Sequence, residues 1–238
     1  MNGKAKLNPV RSDSLRQRAY LELREALLCG RFMPGEAITV RQLTADMQVG
    51  IMPVRECVRQ LAAEGALEIM PNRSVRVPAL KPEEFDDVFE ARKLIEGNAA
   101  ARAAKNVGKE QVGRIASYLQ QLGDLQDGTD APECLRANMH FHFEIYRASG
   151  SPQLVEIIER LWLRVSSLLV VSYASPPAQR KKFFSGLTTH KQLLKAIEAH
   201  DGRAAEKLTK EILTSSHDWH VEFNPVLRSG LEPLRKGA

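Results

Sequence analysis

The sequence predicts a mostly α-helical protein in two parts: an N-terminal winged helix-turn-helix and a C-terminal all-α antiparallel bundle of six to seven helices. Three observations predict it. Apolar residues recur with helical period through nearly the whole chain. Period-two alternation is confined to residues 67–77, enough for one hairpin. Aromatic residues make up 6% of a chain that is 43% hydrophobic, so the interior is mainly aliphatic, as packed helices require.

The 238 residues exceed one compact domain and suit two. The expected division is residues 10–78 for the winged module, 79–82 for a linker, 83–225 for the bundle and 226–238 for a tail. No run approaches ~18 uncharged apolar residues, so no membrane span is expected. The lysines of the first eight residues have no apolar core behind them, which argues against a secretory signal. Three scattered cysteines form neither a disulfide framework nor a zinc knuckle. A cytoplasmic protein is expected. Residues 1–80 carry 12 Lys and Arg against 8 Asp and Glu, and the remainder is nearly balanced. A basic module on a near-neutral body is the charge footprint of a nucleic-acid reader carrying a second function.

Leu15, Ala19, Leu23 and Leu27 form one apolar helix face, ended at Cys29-Gly30 and followed by a Pro34-Gly35 turn. Thr39 stands three residues before Gln42, a capping spacing, and Val40, Leu43 and Met47 continue as a two-turn helix. A third helix begins near Met52, with Pro53 in its first turn, a buried face of Val54, Cys57, Val58, Leu61 and Ala62, and Gly65 as its stop. Its outer face carries Arg55 and Arg59, one turn apart. Two short helices with a basic outer face on the second match a helix-turn-helix. Leu67–Met70 and Val75–Val77 then flank a polar turn, whose tip residues Asn72 and Arg73 would reach a nucleic-acid backbone or minor groove.

The segment from Leu23 to Val77 resembles the DNA-binding domain of the GntR family of bacterial transcription regulators. Gly30…Pro34-Gly35-Glu36, Pro53-Val54-Arg55-Glu56 and Glu64-Gly65-Ala66-Leu67 occur in that family's order and spacing. The resemblance places DNA contacts at Arg41, Arg55 and the wing tip near Arg73. The sequence departs from the family where Gly50 and Ile51 replace a Ser or Thr followed by Arg, and where Ser74 replaces a glycine.

Six apolar stripes follow. They run from Phe85 through Val88, Phe89, Leu94, Ile95 and Ala99 to Ala103; from Val112 to Leu122; from Leu135 to Tyr146; from Leu154 through Ile157 to Leu168; from Leu187 to Ile197; and from Ala205 to Ser216. No two histidines stand four apart, so a metal site would have to be assembled between helices. Asn138 and His142 are four apart and share a face.

The segments around Val88–Ala100, Asn138–Leu154 and His190–Leu208 resemble the ligand-binding domain of the FadR-type (FCD) branch of the same family. Many members of that branch hold a divalent metal with an Asp, a His four residues later and two further histidines. Those positions fall on Asn138, His142, His190 and Ile212 here. The resemblance therefore implies at most an incomplete site for Zn, Ni or Mn on Asn138, His142 and His190, and an effector pocket lined by these residues and Arg92. Arg92 either clamps a carboxylate or pairs with Glu96. Arg147, Tyr146 and Asn98 are further candidates for the lining.

The expected function is a homodimeric repressor that binds a double-stranded DNA operator, with affinity altered by a small-molecule effector, an organic acid. It is not expected to be an enzyme or to touch a membrane. A constitutive DNA-binding protein with a decayed pocket and a helical metal-dependent enzyme are the alternatives.

Overall fold

The computed structural model describes residues 14–71, 74–126 and 130–229. The first module holds α1 (Ser14–Leu28), α2 (Val40–Met47) and α3 (Ile51–Ala63) with strands β1 (Ala37–Ile38), β2 (Glu68–Ile69) and β3 (Val75–Arg76). The strands form one antiparallel sheet in the order β1-β3-β2. Ala37 opposes Arg76, and Glu68 opposes the same Arg76 from the other side. The hairpin was legible; β1 was not, because two residues inside a turn segment carry no periodicity.

Local chemistry sets the helix ends. The Gln42 amide donates to Thr39 Oγ1 at 3.1 Å and caps α2. The N-cap of α3 is Gly50, which offers no side-chain acceptor. Val54, Cys57, Val58 and Leu61 are 0–3% exposed and fix the rotation of α3 about its axis, while Ala62 is only half-buried.

The second module consists of α4 (Pro82–Asn106), α5 (Lys109–Asp124), α6 (Ala131–Ala148), α7 (Pro152–Tyr173), α8 (Pro177–Phe184), α9 (Leu187–Glu198), α10 (Gly202–Phe223) and α11 (Pro225–Ser229). Six of these are the helices marked by the apolar stripes. The short α8 and α11 lacked any readable period. Leu80 of the expected linker and Val226 and Leu227 of the expected tail are buried. The α10 helix lies along α4 so closely that a Cβ on Gly202 would stand 2.7 Å from the Ala101 carbonyl oxygen.

Three apolar residues assigned to apolar helix faces are exposed instead: Leu15 on α1, Leu94 on α4 and Ile157 on α7. On α4 the inward positions between Phe89 and Ala99 are taken by Arg92 and Glu96, both buried. Leu94, two residues from each, is rotated about 200° and faces outward. The helix keeps its period, but a polar pair occupies the inward face there.

The modules meet on α7. The Ser166 hydroxyl donates to the Leu27 carbonyl at 2.9 Å, and Arg24 pairs with Glu159 at 2.5 Å. Gly30, with φ +65°, sits against Val170, where a Cβ would stand 2.5 Å from the valine Cβ. Three residues along from Glu159, Ser166 and Val170, the residues Trp162, Leu169 and Tyr173 repeat the same spacing and line a cavity in the second module.

Candidate functional site

Two places carry chemistry: the exposed face of α3 and the cavity of the helical module. Arg55 and Arg59 on that face, and Arg41 on the neighbouring α2, are all exposed, and none makes an ion pair or side-chain hydrogen bond with the described residues. Neighbouring charges are engaged elsewhere: Glu56 with Arg16, Glu64 with Tyr20, and Arg76 with Glu68. The three arginines are therefore free to meet phosphates or guanine edges. Asn72 and Arg73 lie outside the described residues.

The cavity has a volume of about 460 Å³, within the range of small-molecule sites. Its wall is largely apolar, with Trp162, Leu169 and Phe184 among its members. Arg92 from α4, Asn138 and His142 from α6, and His190 from α9 all line it, as does Ile212 from α10. The residues named from the sequence are thus brought together.

Their protons can be assigned from hydrogen bonds. Arg92 Nε donates to Glu96 Oε1 at 2.6 Å, and its guanidinium lies over the Phe89 and Trp162 rings at 4.8 and 4.7 Å. Glu96 also accepts from Trp162 Nε1 at 3.2 Å and from the Tyr146 hydroxyl. The tyrosine proton is thereby committed. Its oxygen accepts from His142 Nδ1 at 3.3 Å, which leaves His142 Nε2 with a lone pair. His190 Nδ1 donates to the Gly186 carbonyl at 2.9 Å, so its Nε2 is an acceptor too; that atom is buried and unpartnered. The two imidazole rings stand 5.2 Å apart. Arg92 Nη1 is likewise buried without a partner.

Electrostatics keep both rings neutral. Burial pushes the His142 pKa well below its ordinary value, helped by His190 and Arg92. Burial lowers His190 as well, against the pull of the Gly186 carbonyl. Burial, with Glu96 adding to it, raises the Tyr146 phenol.

A divalent metal does not fit these donors. Two neutral imidazoles and a neutral amide converge with Ile212, which donates nothing. Among the described residues no three His, Cys, Asp or Glu side chains are placed to hold an ion. His217 does not complete the set, because its Nε2 is engaged by Asp86 at 2.8 Å.

Residues 15–77 match the family of bacterial regulatory proteins described as gntR, and residues 87–215, more than half the chain, match the FCD domain. The chain is a GntR-family regulator of the FCD branch. This regulator is 28% identical over 214 residues to the HTH-type transcriptional regulator McbR of Escherichia coli K12, covering 90% of this chain and 94% of McbR. It is 27% identical over 211 residues to the HTH-type transcriptional repressor GlaR of the same organism, covering 82% and 91%. The solved E. coli McbR/YncC structure superposes with a TM-score of 0.81 at 26% identity, covering 88% of this chain and 98% of that one. A putative GntR regulator from Rhodococcus sp. RHA1 shares the fold with a TM-score of 0.72 at 21% identity over 88% and 98%. The family and these relatives are transcription regulators rather than enzymes. No helix among the described residues is long and apolar enough to cross a membrane.

None of the three further candidates, Asn98, Tyr146 and Arg147, lines the cavity. Asn98 is exposed on the outer side of α4, and Arg147 is turned to Glu144 on the surface. Tyr146 works behind the wall, through Glu96 and His142. Trp162 was not singled out from the sequence, since an aromatic in an apolar stripe gives no separate signal.

Proposed function

We propose that this regulator is a cytoplasmic homodimeric repressor whose helical module binds a hydroxyl-bearing organic acid and thereby alters operator affinity. The observation that carries the reading is that two residues lining one cavity hold unmet groups: a donor, Arg92 Nη1, and an acceptor, His190 Nε2, both buried. An unpartnered buried polar group is costly, and a ligand that satisfies both removes two such costs. A carboxylate oxygen suits the guanidinium, and a hydroxyl proton suits an imidazole lone pair. His142 Nε2 supplies a second such acceptor. Effector binding shifts the molecule between arrangements only through unequal affinity for them.

The test uses purified full-length protein, a labelled duplex from the region upstream of its own gene, and three matched probes: 3-phenyllactate, 3-phenylpropionate and 2-phenylethanol. The reading predicts thermal stabilisation in that order, and release of the duplex by the first. Arg92→Met should abolish stabilisation by the acids while leaving salt-dependent DNA binding intact. DNA binding that no organic acid alters would favour the constitutive alternative.

A further inference from the structure

The first two residues of α3 are Ile51 and Met52, and they are 47% and 58% exposed. Val54, Cys57, Val58 and Leu61 hold the buried face, so Met52 lies opposite it and Ile51 at its edge, with both side chains open to solvent. Ile51, Arg55 and Arg59 are spaced four apart and form one stripe, so the unpaired basic face ends in an apolar head at the helix N-terminus. In a helix-turn-helix the N-terminal residues of the second helix meet base edges in the major groove.

Neither side chain donates a hydrogen bond, and the Met52 thioether is only a weak acceptor. Set against a guanine edge or a cytosine amino group, either would strip water from a polar atom without replacing it. The one apolar feature of the major-groove edge is the 5-methyl group of thymine. We propose that Ile51 and Met52 are specificity-determining residues that pack on thymine methyls, so that each operator half-site carries A·T pairs beneath the start of α3. The proposal rests on the DNA-binding reading of the family and names what this chain's own helix reads.

The experiment selects duplexes bound by the full-length protein from a randomised pool, sequences them, and replaces each thymine of the best duplex by uracil in turn. At one or two positions per half-site, thymine should be selected and uracil should weaken binding about fourfold, the worth of one buried methyl. At the same positions cytosine should bind poorly and 5-methylcytosine should recover part of the loss. Ile51→Ala and Met52→Ala remove no core side chain, and should erase the uracil effect while keeping salt dependence. Binding that is indifferent to uracil everywhere, or a selected guanine at these positions, overturns this proposal alone. Absence of salt-dependent binding to any duplex overturns the DNA-binding reading with it.

Discussion

Asn224 places a proton on a buried ring. Its Oδ1 accepts from the Val226 amide at 3.0 Å, and its Nδ2 donates to the Leu168 carbonyl at 3.2 Å, so its orientation is fixed. Nδ2 also donates to His220 Nδ1 at 3.0 Å, which leaves the His220 proton on Nε2, buried and unpartnered. Burial, with Arg92 and His217 adding to it, lowers the His220 pKa to about 3. The unfolded value is near 6.5. Between these values the unfolded chain binds the proton and the folded chain does not. The stability this provides is complete above about pH 6.5 and declines as pH falls toward 3, by about 1.4 kcal/mol per pH unit. His142 and His190 are lowered too and steepen the decline. Urea unfolding at a series of pH values should show wild-type stability falling below pH 6.5 more steeply than that of His220→Gln. Equal slopes would exclude this role for His220. None of this was legible in the sequence, where the amide and the ring are simply four residues apart. Arg92, His142 and His190, by contrast, stood out because they fall on positions of a recognisable pattern.

At the scale of elements, legibility tracks length and caps. The α2 helix has only eight residues, yet Thr39 and the Val40–Leu43–Met47 spacing announced it, and the structure supplies the bond that the spacing implied. Thr39→Ala should cost about 1 kcal/mol of stability, measured by denaturant unfolding, and Thr39→Ser much less. The α8 helix has the same length, but its apolar residues, Phe183 and Phe184, are adjacent, so no period could be read. On α4 the hydrophobic rule picked Leu94 over Arg92 and Glu96, because a sequence pattern counts apolar atoms and the structure buries an ion pair. The strand β1 became a strand through pairing with β3, a long-range contact with no local signal.

Across the whole molecule, α7 touches both the cavity and the winged module, through parallel stripes. Its Trp162, Leu169 and Tyr173 face the cavity. Its Glu159, Ser166 and Val170 meet Arg24, Leu27 and Gly30. An offset of three residues, about 60° around the helix axis, separates the two. Gly30→Ala meets a double obstacle: a backbone at φ +65° that disfavours a side chain, and Val170 within 2.5 Å of the new Cβ. Calorimetry of Gly30→Ala should show the winged module melting before the bundle, as two transitions. A single transition at the wild-type temperature would show that the contact contributes nothing to docking.

The same contact constrains module exchange. A chimera that grafts a relative's winged half onto this chain's helical half must fit its residue 30 against the branched side chain of Val170. Such grafts should succeed when residue 30 remains glycine, whatever the donor, and fail when it does not. Compatibility of halves would then be decided at a single carbon atom, at neither the exposed face of α3 nor the cavity.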